Sequence, residues 1–151
     1  SFARIKATRR IRRRMEEVIH ARGHENVTAE HASTFEVTTD DYLTPAGDCI
    51  LAIEADRAPA DFDEAFVAAC REPGATITCT LRADGHEETA VGVGHPDLAF
   101  DSDRSMVGRT SDYVDDRTVM LASSISAEGF DRDLVAALAA GAEATVTLAV
   151  E

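Results

Sequence analysis

The hydrophobic and polar positions of this 151-residue chain follow one order of predicted elements, and that order is written twice. In the first half, short apolar strands lead to an unbroken apolar run at 49–53, which is typical of a strand covered on both faces. A helical stripe follows, because apolar residues recur every three or four positions from Phe62 to Cys70. A strand at 76–81, in which apolar residues alternate with threonines, closes the unit.

The second half repeats these blocks in the same order. Gly23-His24 recurs as Gly94-His95, 71 positions later, and the helix and last-strand blocks recur at offsets of 68 and 67. A loop shortened by one residue places the apolar run CILA opposite VMLA. As strand, strand, strand, helix and strand, the predicted blocks are 18–21, 33–38, 49–53, 61–70 and 76–81, and then 89–93, 104–110, 118–122, 129–138 and 144–148.

A unit of this kind cannot bury its sheet alone, so two copies are expected to pack about a pseudo-two-fold axis. We therefore predict an α+β fold built from an internally duplicated β-β-β-α-β unit, with repeats at about 16–85 and 86–151 of a single domain, 15–151. The strands are expected to form one closed or nearly closed, mostly antiparallel sheet or barrel with two helices.

The charges of the chain lie in two blocks. Residues 1–14 hold seven of the 15 Lys and Arg residues and none of the 28 Asp and Glu residues, so eight basic residues face 28 acidic ones in the remainder, a net charge of −20. Such a charge destabilises a compact state until counter-ions screen it. The acidic, almost lysine-free composition predicts a halophilic protein. Residues 1–14 are predicted to be a disordered upstream extension, with a nucleic-acid arm as the alternative.

Membrane and export signals are missing from the sequence. No apolar run reaches the roughly 20 residues of a membrane span, and the basic start lacks the apolar core of a signal peptide. We therefore predict a cytoplasmic protein without a membrane partner. An aromatic content of 5% argues against single-stranded nucleic acid as a ligand, because stacking platforms are scarce.

The three cysteines are odd in number and show no CxxC spacing, which indicates neither a disulfide framework nor a zinc site. The repeat places them opposite apolar residues: Cys49 opposite Val119, Cys70 opposite Leu138 and Cys79 opposite Val146. We therefore predict that all three are small core hydrophobes.

The Gly-His pairs have two interpretations. In one, glycine permits a positive φ in a turn and the imidazole bonds to nearby backbone. In the other, His24 and His95 lie on the axis and line a shared pocket. His20 and His24 do not form a convincing metal clamp, because four residues of a strand span roughly 13 Å. We predict no metal and no cofactor.

Charged residues that differ between the halves are the best candidates for a site. His31 and Glu36 correspond to Ser102 and Val107, whereas Arg109 and Arg117 correspond to Thr38 and Gly47. Arg104, Arg109 and Arg117 also lie within fourteen residues. Because guanidinium groups bind carboxylate or phosphate in a two-pronged manner, these arginines predict an anion pocket. Ion pairing with neighbouring aspartates is the alternative.

Three motifs resemble those of an archaeal family known as a domain of unknown function, number three-seven-one. They are GH-x-N at 23–26, H-x-x-TFE-x-T at 31–38 and LT-x-x-GDCI at 43–50, with GVGHPDL and DDRT downstream. The resemblance covers about 16–151. The second half departs from the family pattern, since relatives carry lysines near 109–125 and this chain has none there. The resemblance implies an archaeal, here haloarchaeal, cytoplasmic protein, and it implies no activity or cofactor.

Three functions fit these observations. The first is a small intracellular binding domain with a cleft for a small anionic ligand, held by His24, His95, Arg104, Arg109 and Arg117. The second is an acid/base enzyme that uses His31, Glu36 or Asp48, although His31 and Glu36 would point to opposite faces of a straight strand. The third is a structural or partner-binding protein, such as a homodimer formed through an exposed sheet edge.

Overall fold

A computed structural model describes residues 14–151 of the chain. The strands are β1 (Met15–Arg22), β2 (Thr34–Thr38), β3 (Ile50–Ala52), β4 (Thr76–Ala83), β5 (His86–Val93), β6 (Ser105–Arg109), β7 (Thr118–Met120) and β8 (Glu143–Val150). The helices are α1 (Glu64–Cys70) and α2 (Arg132–Ala139), each preceded by a 3-10 turn, Pro59–Asp61 and Ala127–Gly129. The extension predicted at 1–14 lies outside the described residues, apart from Arg14.

The strands form two four-stranded sheets, which we name sheet A, in the order β1-β8-β4-β5, and sheet B, in the order β3-β2-β6-β7. Neighbours are antiparallel except for the parallel pairs β2–β3 and β6–β7. The predicted α+β class, with two helices and mostly antiparallel strands, is therefore confirmed.

The prediction of one closed or nearly closed sheet or barrel is wrong. Within residues 14–151, only single bridges, Arg22–Ile53 and Val93–Leu121, join the edges of the two sheets. The physical reason lies two residues after the ends of β3 and β7, where Glu54 and Ala122 adopt left-handed backbone with φ of 54° and 50°. These residues turn the chain away before a ladder can form. No helix within 14–151 combines the length and the apolar character needed to cross a membrane.

The core lies between the two sheets. Alternation along β4, and along β8 as far as Leu148, sends apolar side chains inward, and Leu81 and Val146 are almost completely buried. On sheet B, Phe35 meets Phe130 edge to face, with ring centroids 5.2 Å apart. The start of α1 is fixed by the buried carboxylate of Glu17, which accepts a hydrogen bond from the Asp63 backbone N–H at 2.7 Å.

Each Gly-His pair forms a turn that packs against the end of a helix from the other half of the chain. A Cβ on Gly23 would lie 1.9 Å from the carbonyl oxygen of Leu138 in α2, and one on Gly94 would lie 2.0 Å from that of Cys70 in α1. Neither glycine has a positive φ. The prediction of left-handed glycine is therefore wrong, because the requirement is for close approach of two backbones.

The imidazoles of these turns accept hydrogen bonds from nearby backbone. The N–H of Asn26 donates to Nδ1 of His24, and the N–H of Asp97 donates to Nδ1 of His95, each at 3.0 Å. The two turns follow the C-terminal ends of β1 and β5, which run in opposite directions at opposite edges of sheet A. The histidines therefore do not share a pocket. Their contacts agree with the first interpretation, in which each imidazole bonds to nearby backbone.

Candidate functional site

Sheet B places two of the predicted charged residues, Glu36 and Arg109, on one face. Phe35 and Val37 of β2 are buried in the core, so Thr34, Glu36 and Thr38 point the other way. The β2–β6 register places Arg109, Val107 and Ser105 beside these three residues. A cleft of about 180 Å³, which we name the β2/β6 cleft, opens here, and its polar lining includes Glu36, Asp40, Tyr42, Thr44, Arg104 and Arg117.

Arg109 is buried and held by neighbouring side chains. It is 9% exposed, its Nε donates to Oγ1 of Thr118 and its Nη2 to Oδ2 of Asp115, each at 2.9 Å. The guanidinium also stacks 4.8 Å from the ring centroid of Tyr113. Burial alone would raise the pKa of Asp115, but hydrogen bonds from Thr118 and the Arg117 backbone, together with the Arg109 charge, bring that pKa below its usual value. Arg109 is absent from the cleft lining.

Arg104 lies in the cleft wall in a two-pronged ion pair. Its Nε and Nη2 donate to the Asp40 carboxylate at 3.0 and 2.7 Å. The hydrogen bond from Arg104 lowers the pKa of Asp40. Ion pairing, the alternative interpretation of the arginine cluster, thus describes Arg104 and Arg109.

Arg117 differs from these two arginines. Its Nη2 shares Oδ2 of Asp115 at 3.3 Å, and its Nη1 lies 3.8 Å from Oε1 of Glu36, beyond hydrogen-bond distance. Within 14–151, the Arg117 guanidinium makes one hydrogen bond, through Nη2, whereas those of Arg104 and Arg109 are each held through both Nε and Nη2. The Arg117 side chain is 41% exposed. This guanidinium can therefore offer donors to a molecule in the cleft.

The structure changes the predicted correspondence around the apolar runs. Glu36 pairs with Ile50 in the first half, and Val107 pairs with Thr118 in the second. By this register, the residue of the second half that corresponds to Cys49 is Arg117. The loop of the second half is thus shorter by three residues, whereas the sequence comparison shortened it by one. The prediction that Cys49 is a core residue is wrong, whereas Cys70 and Cys79 are buried as predicted.

Cys49 donates a hydrogen bond from Sγ to Oε1 of Glu36 at 3.5 Å. Burial, followed by the negative charge of Glu36, raises the pKa of the Cys49 thiol to about 11. At pH 8 we expect alkylation by iodoacetamide to be about 100-fold slower than for a thiol of pKa 9, because the thiolate is the nucleophile.

Glu36→Gln should increase that rate, since it removes the charge that opposes thiolate formation. Mass spectrometry of the labelled peptides measures the rates, and the buried Cys70 and Cys79 serve as internal references. Labelling of native Cys49 at the speed of an ordinary thiol would contradict this environment.

His31 and Asp48 belong to a turn beside the cleft. Nδ1 of His31 accepts hydrogen bonds from the N–H groups of Ser33 and Thr34, at 3.2 and 3.1 Å. Asp48 contributes its backbone carbonyl to the N–H of His31 at 3.3 Å. Neither side chain lines the cleft, so these contacts do not support the acid/base alternative.

Two features of the structure were not predicted from the sequence. An open groove of about 910 Å³ crosses the end of sheet A, where the arginines of its wall form the ion pairs Arg22–Glu54 and Arg82–Glu87. Separately, one ligand atom each from His86, Asp131 and Asp133 lies within 4.8 Å of the others, although Asp131 already caps α2 through the Leu134 N–H. Sequence spacing gives no sign of this cluster, since His86 comes from a distant hairpin.

The fold and the cleft define an α+β protein of two four-stranded sheets with a small polar cleft on one of them. The chain belongs to the family described as "Domain of unknown function (DUF371)", which matches residues 19–151. It is 40% identical over 129 residues to the "Uncharacterized protein MJ0206" of Methanocaldococcus jannaschii, a match that covers 85% of this chain and 95% of the relative. The resemblance seen in the three motifs is therefore confirmed.

Proposed function

We propose that the protein binds a small anion, a carboxylate or a phosphate, in the β2/β6 cleft. The observation that supports this most directly is that the Arg117 guanidinium in the cleft lining makes one hydrogen bond within 14–151, while its Nη1 lies 3.8 Å from Oε1 of Glu36 in a loose ion pair. Arg104 supplies a second guanidinium to the same wall, and Thr44 supplies a hydroxyl. A volume of about 180 Å³ equals that of about six water molecules. A phosphate ion or a short carboxylate therefore suits the cleft better than a nucleotide.

We also infer that the chain arose by internal duplication. The central pair of sheet B joins Glu36 to Val107, 71 positions apart, and the central pair of sheet A joins Thr80 to Thr147, 67 positions apart. These offsets match those of the sequence repeat, which supports a pseudo-two-fold axis through both pairs. On this inference, Glu36 lies next to the axis in sheet B, and its counterpart across the axis is the apolar Val107. A carboxylate on only one side of the axis supports a site, because a purely structural position tolerates the same residue in both halves.

We infer a high-salt cytoplasm as the setting of this activity. After residue 14, eight basic residues face 28 acidic ones, and pairs such as Arg57–Glu17 and Arg104–Asp40 already occupy several of the basic side chains. Most carboxylates of residues 14–151 therefore lack a cationic partner within that range, and screening by salt stabilises the compact state. Ligand binding should accordingly be measured in molar KCl.

Thermal unfolding in molar KCl tests the proposed anion site. Inorganic phosphate or malonate at about 100 times its dissociation constant should stabilise the native state by about 2.7 kcal/mol. For a chain of this size, that corresponds to a rise in Tm of roughly 5–10 °C. Arg117→Met should abolish the rise, because it removes the guanidinium that donates to the anion.

Arg82→Met is the matched control, since Arg82 is an exposed arginine paired with Glu87 outside the β2/β6 cleft. This variant should keep the anion-dependent rise. An equal rise in the Arg117→Met protein, or no rise with either anion in the native protein, would rule out the proposed site.

A further inference from the structure

The lining of the β2/β6 cleft contains as many negative as positive side chains. Its charged members are Arg104 and Arg117 on the one hand, and Glu36 and Asp40 on the other. The cleft is therefore neutral as a whole, whereas the chain after residue 14 has a net charge of −20. A ligand with a negative charge alone would pair with Arg117 but would also approach Glu36, a group of like charge 3.8 Å from that guanidinium.

The carboxylate of Glu36 is mostly buried and receives weak polar contacts. Its side chain is 13% exposed. Within 14–151, the hydrogen bond that this carboxylate accepts from a side chain comes from Sγ of Cys49 at 3.5 Å, and a thiol is a weak donor. The contact with Nη1 of Arg117, at 3.8 Å, is longer than a hydrogen bond.

Glu17, a carboxylate of similar burial in β1, has much stronger partners. Its Oε1 accepts a hydrogen bond from the Asp63 N–H at 2.7 Å, and its Oε2 lies 2.6 Å from Nη2 of Arg57. A carboxylate withdrawn from water needs such partners, because it has given up hydration. Glu36 can therefore accept a strong, positively charged donor from a molecule in the cleft.

We propose, on the basis of the anion site in this cleft, that its ligand is a small α-amino acid in the zwitterionic form. The carboxylate of the ligand accepts hydrogen bonds from the Arg117 guanidinium, and the ammonium group of the ligand donates to the Glu36 carboxylate. Neither the ligand nor the cleft has a net charge. Each charge of the ligand meets an opposite charge of the protein, which a simple anion cannot achieve.

The separation of the two protein groups suits an α-amino acid. Nη1 of Arg117 and Oε1 of Glu36 lie 3.8 Å apart. Standard bond lengths place the nitrogen of an α-amino acid about 3 Å from its nearer carboxylate oxygen. One ligand can therefore contact both groups at once. A molecule with a longer spacer between its ammonium and carboxylate groups would have to fold back on itself to do so.

The size of the cleft limits the side chain of the ligand. The volume of about 180 Å³ equals that of about six water molecules, and alanine has about six non-hydrogen atoms. Leu43 and Ile50 supply apolar lining, and Thr44 and Ser105 supply hydroxyl groups. Glycine, alanine and serine therefore fit the cleft, whereas an aromatic amino acid is too large.

Thermal unfolding in molar KCl with L-alanine and with L-lactate tests this ligand class. The two molecules are nearly equal in size, and lactate has a hydroxyl group where alanine has its ammonium group. The dependence of Tm on ligand concentration gives a dissociation constant for each. L-Alanine should bind at least about tenfold more tightly than L-lactate, because its ammonium group forms a hydrogen bond between two charged groups.

Glu36→Gln should bring the two dissociation constants to within about twofold of each other, because glutamine has no charge that distinguishes an ammonium group from a hydroxyl group. Glu87→Gln is the matched control, since Glu87 is an exposed carboxylate paired with Arg82 outside the β2/β6 cleft. This control variant should keep the preference for L-alanine. Circular dichroism verifies that each variant is folded.

Equal binding of L-alanine and L-lactate by the native protein overturns the amino-acid ligand. A preference for L-alanine that survives in the folded Glu36→Gln protein overturns it as well, and so does a Tm that responds to phosphate or malonate but not to L-alanine. The anion site itself stands in each of these cases as long as phosphate or malonate raises the Tm through Arg117. Loss of that anion-dependent rise is the separate failure of the site.

Discussion

Gly23→Ala is expected to prevent folding or to reduce the free energy of unfolding by more than about 4 kcal/mol. The new Cβ would lie 1.9 Å from the carbonyl oxygen and 2.5 Å from the carbonyl carbon of Leu138. Both are backbone atoms, so no side-chain rotation can relieve the overlap, and α2 would have to move away from the end of β1. Denaturation by urea in molar KCl, followed by circular dichroism, measures the loss.

Gly74→Ala is the matched control for this substitution. Gly74 has a φ of +82°, and a Cβ there would meet nothing within 4 Å, so the variant should lose only about 1 kcal/mol through backbone strain. If Gly23→Ala cost no more than Gly74→Ala, the close approach of the turn to α2 would be refuted.

Arg109→Met is expected to reduce the free energy of unfolding by about 3 kcal/mol, because breaking a buried ion pair leaves its partners uncompensated. Thr118 is fully buried and would lose the donor of its 2.9 Å hydrogen bond, and Asp115 would lose the better placed of its two guanidinium partners. Methionine keeps much of the side-chain volume, so the change mainly reports lost polar contacts. Urea denaturation again supplies the measurement.

Arg104→Met separates this effect from the general loss of a positive charge. Arg104 is an exposed arginine in an ion pair with Asp40, and exposed pairs of this kind contribute at most about 1 kcal/mol. Equal losses for the two variants would contradict the structural role of Arg109. The comparison also shows why Arg117, and not Arg109, is the proper variant for testing anion binding, since a destabilised protein obscures a ligand-dependent change in Tm.

Local pattern was sufficient to locate the elements. The stripe from Phe62 to Cys70 contains the whole of α1, and the alternation that starts at Thr76 marks the beginning of β4. Both signals arise from which side of one element faces the core, a property that neighbouring residues determine. The division into two sheets depends instead on the left-handed backbone of Glu54 and Ala122. Neither residue type signals that conformation, so the predicted continuous sheet could not have been corrected from the pattern.

The candidate site was harder to predict because its register is not local. Apolar runs such as 49–53 and 118–122 match each other at several offsets, and only the pairing with β2 and β6 fixes the one that the protein uses. By that pairing, Arg117 is the counterpart of Cys49 in the second half, and Cys49 lies outside the core. Asp40 lies in a loop of ordinary composition, so nothing in the sequence marked it as the partner of Arg104.

The Gly-His turns make each half of the chain depend on the other for its own completion. Gly23 requires the end of α2, Gly94 requires the end of α1, and β8 lies between β1 and β4 in sheet A. A fragment that stops before β5 contains the Gly23 turn but lacks α2, the helix against which that turn packs. Isolated fragments of either half should therefore stay unstructured and assemble only when mixed, and the intact chain should unfold in one cooperative transition.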